Sequence, residues 1–590
     1  MSLNKKQKIL VSVVSGLILL VVIGIITINL IVGNIIETKI KDALKEKDAP
    51  GYSIELRKVN ANILTGNINL KDVKLIPDSL FLEQIKKGEG IKSVAMDLHV
   101  GTFRLAGIGI LKALRKDINI DKILFKKAKL KIYVGKKPEQ HKEKPESVIN
   151  LDSIYMKGMD GVMIGGIEFI KCQFEVYNLE KDQLVISSND LEVEISEIAL
   201  KELDGNNDYF KLHYKNIEVT LEEEKINLPD GNYYVKLGRV YFNLSDSLLE
   251  VDNLIIEPTY EDKYELARKL KYTSEIFDVT VKKISFLQID ISKIVENGQY
   301  FIDSVKVDGL DLNILMDKRL PFNEDKRPML PNETIKNAGI PIFIKHIGIT
   351  NSRLNYQEKM ENSEALMTAV LGDLDVQVSF ITSITDSIAT GKSMVAKLRS
   401  NFMEKTPLSV NFDFPLYSKT DTFYFSGHLA SAKMKEFNKA SFPAMGVKFV
   451  EGDLKGITFS GSANSTNSKG EMTMLYNNLQ AEVDKKDPEK DKNKFLSWIA
   501  NTVVHTSNPG KNNKLRIASM EFERIPYKGF GNYVWKTLQS GIVATVTPTG
   551  KKVRTITHDH NASSNNTDTD ESLSKKEARK KAREEKKDRK

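Results

Sequence analysis

Cysteine is almost missing from these 590 residues: Cys172 stands alone. One thiol excludes an internal disulfide framework and every multi-cysteine zinc or iron–sulfur site. The eight histidines form no HExxH pair. Long apolar runs are equally scarce. Only residues 9–32, ILVSVVSGLILLVVIGIITINLIV, go without a charge long enough to span a bilayer, so a multispan membrane protein is excluded. Uniform excess charge is absent too. The formal charge is +8, but Lys575 to Lys590 holds ten Lys/Arg against four Asp/Glu. The body is therefore close to neutral, and nucleic acid is not an expected partner.

Catalytic signatures are also lacking. Gly391-Lys392-Ser393 ends like a phosphate-binding loop, but Asp386 stands where its first glycine belongs. Gly529-Phe530-Gly531 lacks the third glycine of a dinucleotide fingerprint, and no G-x-S-x-G elbow occurs. His558-Asp559-His560 lies in a polar tail and is not read as a metal site. The expectation is a protein that is not an enzyme, with no cofactor, no metal and no catalytic residue.

What is present begins with the apolar run. Lys5, Lys6 and Lys8 precede it. At 1.5 Å per residue, 24 residues make a helix of about 36 Å, enough to cross a core of about 30 Å. The run exceeds a signal peptide's apolar region and ends in Val32-Gly33-Asn34, a poor cleavage site. Residues 1–8 are expected in the cytosol, 9–32 as a retained transmembrane helix, 33–548 as the body across the membrane, and 549–590 as a disordered polar, then basic, tail.

The body alternates apolar and polar residues with period two, as half-buried strands do, and two-residue gaps interrupt the alternation. One spacing recurs five times: apolar, two others, apolar, one other, apolar, two others, small or apolar, one other, apolar. The copies begin at Ile120, Ile164, Val281, Ile302 and Ile344. In a straight strand each gap would throw later side chains onto the opposite face, so a bulge or tight turn is expected in each. Asp308-Gly309 and Thr350-Asn351 suit that role. The candidate lining residues of a groove are Ile123, Phe125, Ile167, Phe169, Ile284, Phe286, Val305, Val307, Ile347 and Ile349. Roughly 25–30 strands at 4.8 Å would make a sheet of about 120–145 Å. Helices are expected within residues 35–47, 260–277, 495–504 and 532–543.

Two stretches carry a resemblance. One is the basic start, the apolar span and SIELRKVNANILTGNINLKDVKLIPD with the later INIDKILFKKAKLKIYV. The other is residues 448–483, with Gly470, Met472, Tyr476 and Leu479 in a G-x-M-x-x-x-Y-x-x-L strand, followed by residues 495–504 and 527–546. Over residues 1–547 the chain resembles the AsmA-like family of bacterial envelope proteins, related to TamB-type proteins. The resemblance implies a mainly β fold: an elongated, curved, groove- or taco-like sheet with a few helices. It implies a single-pass anchor in the inner membrane with the bulk in the periplasm. It further implies phospholipid as partner, its acyl chains shielded in a hydrophobic β-groove during transport toward the outer membrane, with a possible outer-membrane or periplasmic protein partner. The alternative is a scaffold or assembly factor for outer-membrane protein biogenesis that conducts no lipid.

Overall fold

The computed structural model describes residues 51–62, 65–89, 94–109, 117–136, 154–155, 161–203, 206–228, 230–361, 363–483, 504–547 and 553–557. The expected anchor at 9–32, the helices at 35–47 and 495–503, and nearly all of the tail lie outside these residues. The rest is mainly β. One open, curved sheet gathers 23 strands. Strand runs next to strand in chain order for almost its whole length, and most pairs are antiparallel. Twenty strands follow one another along this ladder, so the sheet is about 90 Å across the strands at ~4.8 Å each. That is shorter than expected because the gapped motifs form single long strands of up to 18 residues rather than pairs of short ones.

The five motif copies explain the curvature. In each, the eighth residue has a left-handed backbone: Lys127 (φ 55°), Lys171 (51°), Gln288 (53°), Gly309 (67°) and Asn351 (52°). This is a bulge that turns the following side chains back to the face they would otherwise leave, while adding bend and twist. Burial shows the result. Ile120, Ile123, Phe125, Ala128 and Leu130 are all buried, although a plain alternation could not place them on one face.

The copies also pair with one another. Asp117–Val134 lies parallel to Gly161–Asn178, with Ile120 opposite Ile164, Ile123 opposite Ile167 and Phe125 opposite Phe169. Tyr300–Asp317 lies parallel to Ile342–Lys359, with Ile302 opposite Ile344 and Val305 opposite Ile347. The fifth copy, in Glu275–Ile289, pairs antiparallel, with Phe286 opposite Val305. These two are the parallel junctions among the described pairings; like meets like there because parallel strands of the same pattern keep every bulge beside a bulge.

Two large cores form, and a small third one gathers Leu266, Ala267 and Ile276 at the helix Lys263–Leu270. The first draws on strands between Asn67 and Val193 and on Ile198, including Phe103, Phe125 and Phe169; the last two rings stack at 4.5 Å. Its lone thiol, Cys172, is pushed up to about 11 by burial and is therefore an unreactive core residue. The second spans Val305 to Tyr533 and holds Phe414, Phe423, Phe425 and Phe459. The helix Phe530–Val546 packs on it through Tyr533, Thr537, Gly541 and Thr545, one residue per turn. A side chain at Gly541 would meet Met520 Cγ at 2.7 Å, so the close approach requires glycine. This helix is longer than the expected 532–543. The helix read within 260–277 is confined to Lys263–Leu270, and Glu275 onward is strand. Val553–Thr557, read as part of the disordered tail, pairs with Lys514–Ala518 as a strand.

Candidate functional site: an apolar lane and its rim

Register carries one row of apolar side chains across fifteen strands. It starts at Leu70, Phe103, Phe125, Phe169 and Val193, each directly opposite the next. It continues through Val219, Phe242, Leu249, Phe286 and Val305. It runs on through Ile347, Val378, Ala396, Phe412 and Phe425. No polar residue interrupts it over about 65–70 Å at the usual strand spacing. Past Phe425 the row meets Gly461 and Gly470, where the Phe425 ring tip lies 2.7 Å from the place a Cβ of Gly461 would occupy.

The row changes character along its length. Phe125 and Phe169 are 2% and 1% exposed, and so belong to a sealed core. From Val219 to Phe412 every member except the buried Val305 is half-buried. A second row beside it, Leu221, Val240, Val251, Ile284, Val307, Ile349, Val376, Leu398 and Val410, is half-buried throughout. Two adjoining apolar rows therefore stay partly open to solvent across nine strands, about 40 Å. At the downstream end Phe530 closes the lane, its ring 5.4 Å from Phe412 and 5.5 Å from Phe423.

The ten candidate residues divide accordingly. Ile123, Phe125, Ile167 and Phe169 sit together in the first core, at 0–2% exposure, and line no open space. Ile284, Phe286, Val307, Ile347 and Ile349 are half-buried in the open stretch, and the buried Val305 lies among them. The opposite face carries cross-strand ion pairs: Lys131 with Glu175 at 3.1 Å, Lys283 with Glu250 at 2.7 Å, and Lys122 with Glu168. Such exposed pairs contribute little stability each, but they hold that face in water.

Sequence reasoning missed the rim. At the far ends of Tyr300–Asp317 and Ile342–Lys359, the apolar face finishes with Tyr356, Glu358 and Lys318. Tyr356 donates its hydroxyl to Glu358 at 2.6 Å, and Lys318 Nζ lies 2.5 Å from the same carboxylate. Lys528 joins them from the turn before the helix Phe530–Val546, with its ammonium over the Phe322 ring. Lys536 joins from the helix itself and donates to Gln539 at 2.8 Å. Burial, then the charge of Lys318, pushes Lys528 down to about 7, and Lys536 is lowered by the same two causes. The three lysines are separated by up to 218 positions in the chain, so no local signal joins them.

The G-x-M-x-x-x-Y-x-x-L strand is structural. Met472, Tyr476 and Leu479 are buried, and Gly470 lies against Gly461. The Tyr476 hydroxyl donates to the His505 carbonyl at 3.0 Å, and the buried Asn508 donates to the carbonyls of Met474 and Arg516. Among the described residues no group of three or more His, Cys, Asp or Glu side chains is placed to hold a metal ion. No protein-family model and no curated protein matches the chain.

Proposed function

We propose that this chain is an AsmA-like envelope protein, anchored by residues 9–32 in an inner membrane, whose open apolar lane shields phospholipid acyl chains on their way toward an outer membrane. The observation that carries the reading is the pair of half-buried apolar rows crossing nine strands in register. Part of the strip leans on the two large cores at its ends, yet its side chains are left half-buried and form one continuous, partly exposed apolar surface. It is suited to a ligand that is itself a strip of methylenes. Each CH₂ kept out of water saves about 0.8 kcal/mol, so a two-chain lipid gains much from a lane of this length. No nucleophile, metal or nucleotide is needed for such shielding, and the chain is proposed to act without enzymatic chemistry or a cofactor.

The sealed first core bears on the route. A lipid entering the lane from the anchored end would meet closely packed Phe103, Phe125 and Phe169, so the open stretch is the proposed binding surface rather than the full row. The test is Phe286→Asp with Val307→Asp in the full chain. Both positions are half-buried and paired to neighbours in the open stretch, so the sheet is expected to persist by circular dichroism. Phospholipid recovered with the wild-type protein, measured by mass spectrometry of the detergent-purified chain, is expected to fall at least several-fold in the variant. Equal recovery from both, or none from the wild type, would leave the scaffold reading in its place.

A further inference from the structure

We propose that Lys318, Lys528 and Lys536 form a seat at the rim of the lane for the phosphate head of an amphiphile whose tails lie on the open apolar rows. This rests on the lipid reading above and adds to it the chemistry of the head group and its position. Lys318 contacts the Glu358 carboxylate, and Lys528 and Lys536 lie near enough to feel the charges of both. Glu358 is held by Lys318 and by the Tyr356 hydroxyl. Among the described residues neither Lys528 nor Lys536 has a carboxylate within ion-pair distance, so an incoming anion would meet two amines with no ion-pair partner of their own. Lysine is normally kept in water; here Lys528 and Lys536 are half-buried, Lys528 over the Phe322 and Tyr527 rings, an arrangement that costs free energy unless an anion completes it.

The position favours a lipid's phosphate. Tyr356 and Glu358 continue the apolar face of Ile342–Lys359 to its end, with Tyr356 opposite Ile314 and Glu358 opposite Met316. Tails lying on Leu312, Leu354 and the rows beyond would bring a head group to this rim, where water begins. The helix Phe530–Val546 also starts here, at Gly529, without a side-chain cap, and its free amides add partial positive charge.

An anion would restore a full charge on Lys528. The groups facing that ammonium are Lys318 and Glu358 from the strand ends, Lys536 from the helix, Glu324 from the preceding loop, and the Phe322 and Tyr527 rings. With its affinity for a proton lowered to near neutrality, binding is expected to take up a fraction of a proton at pH 7.5.

The experiment titrates the full chain, in a nonionic detergent, with dihexanoyl phosphatidic acid, dihexanoylglycerol and inorganic phosphate by calorimetry in two buffers of different ionisation enthalpy. Phosphatidic acid is expected to bind about tenfold or more tightly than dihexanoylglycerol, the scale of one or two charge-assisted hydrogen bonds. Lys528→Met and Lys536→Gln should each erase most of that ratio, and Lys528→Arg should keep it. Phosphate alone should bind far more weakly than the amphiphile. A ratio near one in the wild type, or a ratio untouched by both variants, overturns the seat while leaving the lane intact. Phosphate binding as tight as the amphiphile makes this a free-anion site instead. Failure of both amphiphiles to bind sinks the lane and the seat together. Thermal melts show which variants fold, and Lys536→Gln with Lys528→Arg carries the test if Lys528→Met does not.

Discussion

Lys528 shows how one side chain can serve two masters. Its ammonium lies over the Phe322 and Tyr527 rings and at the same time faces the charges of Lys318 and Lys536. Without an anion, the folded protein holds the proton of Lys528 only below about 7, against 10.5 for the exposed amine. The sign follows from linkage. Below about 7 both folded and unfolded states are protonated, and folding bears the full cost of the half-buried charge. Between about 7 and 10.5 the unfolded state binds more protons, so stability rises with pH and the cost is progressively relieved. Lys528→Met is therefore expected to raise the melting temperature at pH 6, with the gain shrinking as pH rises toward 10. Melts of wild type and variant across that range check it; a gain that does not change with pH would mean the residue titrates normally.

At the scale of the element, the bulge is the unit. The left-handed residue recurs at the same motif position in all five copies, and only Gly309 among them is a glycine. For Gln288 the left-handed backbone costs about 1–2 kcal/mol relative to an ordinary strand conformation, and a β-branched side chain raises that cost. Gln288→Gly is expected to leave stability within about 0.5 kcal/mol, relief of strain offsetting the looser unfolded chain. Gln288→Val is expected to lose about 1–3 kcal/mol. Urea unfolding measures both, and equal costs would show that the bulge relaxes away. These bulges were legible in the sequence, because a two-residue gap in an otherwise strict alternation has few physical solutions. The two parallel junctions were not: nothing in Ile302 or Ile344 states that the chain crosses over between them. The helix Ser79–Lys87 had a readable signal, Asp78 as its N-cap and Gly88 in the left-handed conformation at its end, and went unread amid strand patterns. The rim lysines were out of reach, since their meeting depends on where the helix Phe530–Val546 comes to rest.

At the scale of the molecule, the sheet is continuous but its packing is not. The first core and the second share no buried residue; Val219 and Leu221 lean on the first, Ile284 and Phe286 on the second, and between them, among the described residues, lies only the small cluster of Leu266, Ala267 and Ile276 with Tyr233 against it. Backbone pairing across Tyr233–Asn243 and Leu248–Pro258 links the two, but hydrogen bonds in half-exposed strands add only about 1 kcal/mol each in net terms. A ladder built from neighbour-to-neighbour contacts lets each packed end hold itself together separately, as repeat proteins do. Unfolding is therefore expected in two steps rather than one. Phe169→Ala removes a ring from the stacked heart of the first core, at a cost of about 3–5 kcal/mol, and should lower only one transition. Met472→Ala, under the helix Phe530–Val546, should lower only the other, by about 2–5 kcal/mol. Urea titration followed by hydrogen exchange assigns each step to its strands. A single transition lowered equally by both substitutions would show that the middle strands, with the small cluster around Ile276, couple the ends rigidly. Two separable ends, by contrast, would place the give between them at Tyr233–Asn243 and Leu248–Pro258, the strands of the lane that neither large core grips.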